Sequence, residues 1–154
     1  MEKTKEDFNK WNKEKQFIEF FKKKTKIVKL WDIWITKVWI NIWSEISKDW
    51  EFSRPVLVIS NFLWWDLIWI IPFTTQYNSN YDKYLLEFKE YKKYWLNKKS
   101  YLVLNQFKII SIKRLERKIN NKWYKNKFIP LVNNQILDNI KEKLVNFVIQ
   151  KKNL

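Results

Sequence analysis

The 154-residue chain has no glycine, cysteine, histidine or alanine, yet it carries eleven tryptophans. Without cysteine there is no disulfide and no thiolate nucleophile, and without histidine there is no imidazole base. Losing both removes most zinc chemistry, so any catalysis falls to carboxylates, arginine, lysine or hydroxyls. Without glycine the chain lacks the residue that takes positive φ at no steric cost, and the glycine-dependent nucleotide loops are absent as written. Glycine is ordinarily about 7% of residues, roughly 11 in a chain this long. The excess of tryptophan has the same size as the deficit of glycine.

Charge of one sign is also scarce. There are 16 acidic residues against 31 basic ones, a net charge of +15, and only Arg54, Arg114 and Arg117 are arginines. A field of that sign favours a polyanion such as nucleic acid. A coding bias toward Lys, Asn and Ile accounts for the composition equally well. The start "MEKTKEDFNK" has no apolar core after its charges, unlike a secretory signal. The longest apolar run, Leu57 to Phe73, is broken by Ser60, Asn61 and Asp66, which is unsuited to a membrane span. A cytoplasmic protein without membrane attachment is expected.

Residues 1–29 read as a basic helical extension, with Phe8, Trp11, Phe17, Ile18, Phe20 and Phe21 set among lysines. The remainder, 30–154, reads as one domain. It has six short β-branched or aromatic runs, "DIWITKV", "RPVLVIS", "DLIWIIPF", "YLLEF", "SYLVL" and "FKIISI", which predict a small barrel or strongly curled sheet. Over 132–150, Ile136, Leu137, Ile140, Leu144, Phe147 and Val148 recur at spacings of three and four, predicting an amphipathic helix packed on that sheet. The turns are the anomaly. Trp64-Trp65 stands where a tight hairpin is expected, and Trp50 and Trp123 stand in loops. Such turns favour Asn-Gly or Gly-Gly.

Three segments are more specific: "WINIWSE" at 39–45, "RPVLVIS" at 54–60 and "IPFTTQ" at 71–76, followed by "SYLVLNQFKIISIKRLERKI" at 100–119. In that order they resemble the PemK/MazF family of toxin endoribonucleases, whose members carry G-[DE]-I-W, a glycine-rich G-S-E loop, R-P-V-L-V-[IL]-S, P-x-T-[ST] and an S-Q-I-[RK] strand leading to K-R-L. The resemblance runs from about residue 8 to 119. Trp31, Trp39 and Trp43 stand where the family has glycine, whereas Trp11 and Trp34 stand where it has tryptophan. A gene in which UGA encodes glycine, read with a table that makes UGA tryptophan, produces this pattern.

The resemblance implies a small SH3-like β-barrel with a C-terminal helix, acting on single-stranded RNA, mRNA above all, without metal or other cofactor. It implies a homodimer inhibited by an antitoxin protein. It assigns Arg54 as the central catalytic residue gripping the scissile phosphate, Thr74 as the active-site hydroxyl, and Glu45 as a carboxylate that orients Arg54 or helps activate the 2'-hydroxyl. Thr75, Gln76, Gln106 and Lys108 are the expected RNA contacts, although Asn105 departs from the family's usual Ser or Asp. A noncatalytic nucleic-acid-binding barrel and a toxin aimed at a protein such as gyrase are the alternatives.

Overall fold

The computed structural model describes residues 4–22, 27–37, 53–60, 66–89, 92, 96, 98–119 and 134–149. Helix α1 spans Lys5–Phe21. Its start is fixed by a capping box: the Thr4 hydroxyl accepts from the Asp7 backbone N–H at 3.3 Å, and the Asp7 carboxylate accepts from the Thr4 N–H at 3.0 Å. Seven strands follow, β1 (Ile33–Lys37), β2 (Ser53–Ser60), β3 (Leu67–Thr74), β4 (Leu85–Phe88), β5 (Ser100–Val103), β6 (Lys108–Ser111) and β7 (Leu115–Ile119), and the last element is α2 (Asn134–Ile149). Six of the strands coincide with the six runs expected from the sequence. The seventh, "LERKI", is paired along β1 but has apolar residues only at its two ends, so alternation did not reveal it.

All pairings are antiparallel, in the order β4-β5-β3-β2-β1-β7, and β6 lies against the first half of β3. Strand β3 therefore has two partners along one edge, β6 at Leu67–Ile70 and β5 at Phe73–Thr74. Pro72 falls where that partner changes, a place where a missing N–H interrupts no ladder on that side. A three-residue 3-10 turn, Ile112–Arg114, carries the chain from β6 to β7 at the far edge. The sheet thus curls on itself in the manner of an SH3-like barrel. Among the described residues no pairing joins β6 to β7, so the curl is not closed.

Two apolar clusters lie on opposite faces, as the period-two alternation of strands requires. The inner one takes Trp34 from β1, Val56 and Val58 from β2, Ile68 and Ile70 from β3, Ile110 from β6 and Leu115 from β7. The outer one joins Ile33, Leu57, Ile71, Phe73, Phe88, Leu102, Leu104 and Ile119 to Leu137 and Ile140 of α2. Leu144 packs against it, so α2 covers the sheet as its periodicity predicted. The side chains of Ile136, Phe147 and Val148 lie outside the description. At the other end of the chain, α1 buries Trp11 and Ile18 and meets the Ile112–Arg114 turn. Glu14 and Glu19 pair with Lys37 and Lys113, while the Arg114 guanidinium sits over the Trp11 ring at 5.7 Å.

Trp31 occupies a turn that the backbone reserves for glycine. The Asp32 N–H donates to the Lys29 carbonyl at 3.1 Å, closing a four-residue turn, and Trp31 has φ of +69°. Among the described residues only Trp31 and Asp66 have positive φ. Leu30 therefore keeps an ordinary φ, which makes this a type II turn with its left-handed position at Trp31. The site cannot relax away, because the Trp31 N–H donates to the Val58 carbonyl at 2.7 Å and the Asp32 carbonyl accepts from the Val58 N–H at 2.9 Å. By contrast Trp11 and Trp34 are buried in ordinary helix and strand, and Trp69 lies in regular β3, stacked on Phe107 at 5.6 Å. Trp39, Trp43, Trp50, Trp64, Trp65 and Trp123 lie outside the described residues.

Candidate functional site

The mouth of the inner face is built at the beginning of β2 and the end of β3. Arg54 precedes Pro55, and the proline ring forces the preceding residue into extended backbone. Arg54 is thereby held extended within the continuous pairing of Ser53–Leu57 with β1. It pairs in register with Thr36 of β1, a fully buried residue whose hydroxyl donates to the Arg114 carbonyl at 3.0 Å.

Register decides which side chains share this mouth. Val56 pairs with Pro72. Arg54 and Thr74 each lie two residues beyond that pair, at the same end and with the same parity as Val56, Val58 and Ile70 of the inner cluster. Lys108 pairs with Ile70 across β6, and Ile110, two residues on, is an inner residue, so Lys108 has that parity too. Gln106 ends the 3-10 turn Leu104–Gln106 just before β6, on the side of Pro72 and Thr74. Sequence positions separated by more than fifty residues thus meet on one face at one end of the sheet. Arg54, Thr74 and Lys108, on their strands, and Gln106, in its turn, are all half-buried and so reachable by a ligand.

Thr74 closes β3, and its hydroxyl accepts from the Gln76 N–H at 3.2 Å, turning the chain so that Thr75 and Gln76 are exposed beside it. That bond uses one lone pair and leaves the hydroxyl proton able to donate. Glu45 lies outside the described residues.

Several neighbours carried no sequence signal. Ser53, adjacent to Arg54, donates to the Glu116 carboxylate at 2.9 Å, and the Lys37 ammonium lies 3.6 Å from Glu116 and 4.0 Å from Glu14. This charged network braces the start of β2 against β7 and α1. On the Thr74 side, Tyr101 pairs with Thr74 in register, and the Tyr77 ring lies 5.5 Å from the Tyr101 ring. The Tyr77 hydroxyl donates to Asp82 at 3.0 Å, a bond that raises its pKa and keeps it protonated. Lys99 stands 5.5 Å from the Tyr101 ring, its pKa raised by Glu87 and then by Tyr101 itself. Only the spatial pairing of β3 with β5 reveals this aromatic and cationic group. Among the described residues no three acidic side chains converge in a metal-binding arrangement, and no helix is long and apolar enough to cross a membrane.

A curled antiparallel sheet with a helix over its outer face has the architecture of a MazF-type fold. No family model and no curated protein matches the chain by sequence. Among solved structures it is similar to the Mycobacterium tuberculosis toxin MazF-mt6, with a TM-score of 0.52 and 15% identity over 75% of this chain and 93% of that one. It is also similar to an endoribonuclease in complex with its cognate antitoxin from Mycobacterial species, with a TM-score of 0.52 and 9% identity over 78% of this chain and 93% of that chain. At these identities the likeness is one of fold.

Proposed function

We propose that the chain is the toxin of a type II toxin–antitoxin pair, a metal-independent and sequence-selective endoribonuclease that cleaves single-stranded RNA. The observation that supports this reading is that strand register gives Arg54, Thr74 and Lys108 one parity at one end of a MazF-type sheet, with Gln106 in the turn just before β6. The 2'-oxygen attacks the adjacent phosphorus, its proton passing to Glu45 or to water, and the bond from phosphorus to the 5'-oxygen breaks. The products are a 2',3'-cyclic phosphate and a 5'-hydroxyl, the latter receiving a proton. Arg54 grips the nonbridging oxygens and stabilises the charge of the pentacoordinate state. A guanidinium holds its proton too firmly to serve well as a base. Thr74 donates to a nonbridging oxygen, and Thr75, Gln76, Gln106 and Lys108 hold the strand on either side.

The active form is a homodimer, and an acidic antitoxin inhibits it by covering the basic groove. The positive φ at Trp31 and the absence of any glycine support the companion reading that most tryptophans here are UGA-encoded glycines in the cell. Trp11 and Trp34 are the exceptions.

Incubating the purified protein with RNA in EDTA tests the function. The expected result is cleavage to cyclic-phosphate ends that drops by about 100-fold or more in Arg54→Ala, the scale of losing a charge-stabilising donor. Intact RNA with retained binding would replace the nuclease by a noncatalytic nucleic-acid-binding barrel. Neither cleavage nor binding would direct the search to a protein target such as gyrase.

A further inference from the structure

The outer side of α1 carries three phenylalanines that the fold leaves in solvent: Phe17 is 50% exposed, Phe20 78% and Phe21 73%. Burying aromatic rings is among the most favourable things a small domain can do with them. Three left outside on one short helix therefore need another explanation. At 100° per residue, Phe17, Phe20 and Phe21 fall in the same sector as Lys10 and Lys13, with Phe20 opposite the buried Trp11 and Ile18 and Phe21 at the flank nearest them. Phe17 and Phe21, one turn apart, are stacked with centroids 5.6 Å apart and planes at 25°.

The helix has as many carboxylates as lysines, but most of its acids are used in structural pairs. Asp7 closes the N-cap, Glu14 reaches Lys37 and Glu19 reaches Lys113. Glu6 alone shares the ring-bearing sector, where it lies 3.9 Å from Lys10. Along the exposed strip Lys10 and Lys13 are followed by the three rings, on a chain of net charge +15. Unpaired nucleotides call for flat rings under the bases and cations near the phosphates. The strip is also anchored near the mouth, because Lys37 holds Glu14 and follows Thr36, the partner of Arg54.

We infer that the Phe17, Phe20 and Phe21 strip of α1, with Lys10 and Lys13, is a second contact for single-stranded RNA, stacking on bases outside the bond that is cut. The inference rests on the nuclease reading for its substrate and requires nothing of the cleavage chemistry. The strip adds affinity without base selectivity, since every base offers a face to a ring.

The test is binding of a fluorescein-labelled oligouridylate to the full chain carrying Arg54→Ala. It is compared with the same chain also carrying Phe17→Ser, Phe20→Ser and Phe21→Ser. All three positions are solvent-exposed, and circular dichroism verifies an unchanged fold. Base–aromatic stacking predicts a loss of affinity of about 5- to 100-fold, with an unchanged slope against salt. Lys10→Ala with Lys13→Ala should instead reduce that slope by roughly 1.4, at about 0.7 per phosphate contact on a single strand. A strand with abasic sites in place of uracil should bind the parent more weakly and be indifferent to the serine substitutions. Unchanged affinity of the serine variant overturns the inference and assigns the strip to a protein partner such as the antitoxin. If the chain with Arg54 intact cleaves no RNA but the serine substitutions still lower affinity, the nuclease reading fails and the second contact stands.

Discussion

Replacing Trp31 separately by glycine and by alanine separates the backbone at this turn from the indole it carries. A non-glycine residue in the left-handed region costs about 1–2 kcal/mol, and Trp31 is held there at φ of +69° by its bond to the Val58 carbonyl. The indole is partly buried against the outer cluster. Half of its surface, on the order of 100 Å², contributes about 2.5 kcal/mol at 25 cal/mol per Å². Trp31→Gly therefore mixes a relief of about 1–2 kcal/mol of strain with a loss of about 2.5 kcal/mol of packing, so comparison with the parent does not isolate the backbone. Trp31→Ala loses the same packing and keeps the strain. Glycine's greater freedom in the unfolded chain takes back about 0.4–1 kcal/mol, so Trp31→Gly should exceed Trp31→Ala by about 1 kcal/mol. In urea unfolding followed by far-ultraviolet circular dichroism, that is a midpoint higher by about 0.5 M for a slope near 2 kcal/mol/M. At Leu30, whose φ is ordinary, the order should invert, with alanine the more stable. Equal midpoints for the two Trp31 variants, or alanine above glycine, would refute the turn assignment and remove the structural support for glycine at position 31.

Three further outcomes follow from particular contacts. Asp32 is 3% exposed and accepts from the Lys29 N–H and the Lys118 ammonium; Lys118→Met leaves that carboxylate buried without its cation and should cost about 2 kcal/mol in chemical unfolding, below the 3–5 of a fully buried pair because Lys118 is partly solvated. Thr74→Val keeps the strand shape and removes the donor, so RNA cleavage should fall by about 10- to 100-fold, the worth of a hydrogen bond to a charged group, with melting temperature little changed. Asp7 has its pKa lowered by the backbone and side-chain hydrogen bonds to Thr4; because the folded value is depressed, the cap's contribution is present above the unfolded value of 3.8 and is lost as pH falls through the folded one, so helical circular dichroism from α1 should decline there, and Thr4→Ala, which removes the hydroxyl but keeps the backbone donor, should weaken that pH dependence without abolishing it.

The sequence revealed what repeats locally and missed what depends on pairing. Six strands, α1 and α2 were legible because their apolar residues recur at the period of the element, as in "RPVLVIS" or the three-and-four spacing of Leu137, Ile140 and Leu144. Strand β7 was not, because Glu116, Arg117 and Lys118 between its apolar ends read as a charged loop. It is a strand because β1 offers Ile33, Trp34, Ile35 and Thr36 as partners and because Asp32 and Glu116 take Lys118 and Ser53. The same limit applies to the mouth. Arg54 and Thr74 stand out through their motifs, but Tyr77, Tyr101 and the Lys37–Glu116 network come beside them only through antiparallel register. Composition proved more informative than periodicity in one respect. A chain without glycine must still make a type II turn before β1, and the structure pushes Trp31 into the left-handed region there while leaving Trp11 and Trp34 in unstrained, buried positions. A left-handed backbone at one tryptophan and ordinary backbone at two buried others is the division expected if the first is a glycine of the living protein and the other two are tryptophans.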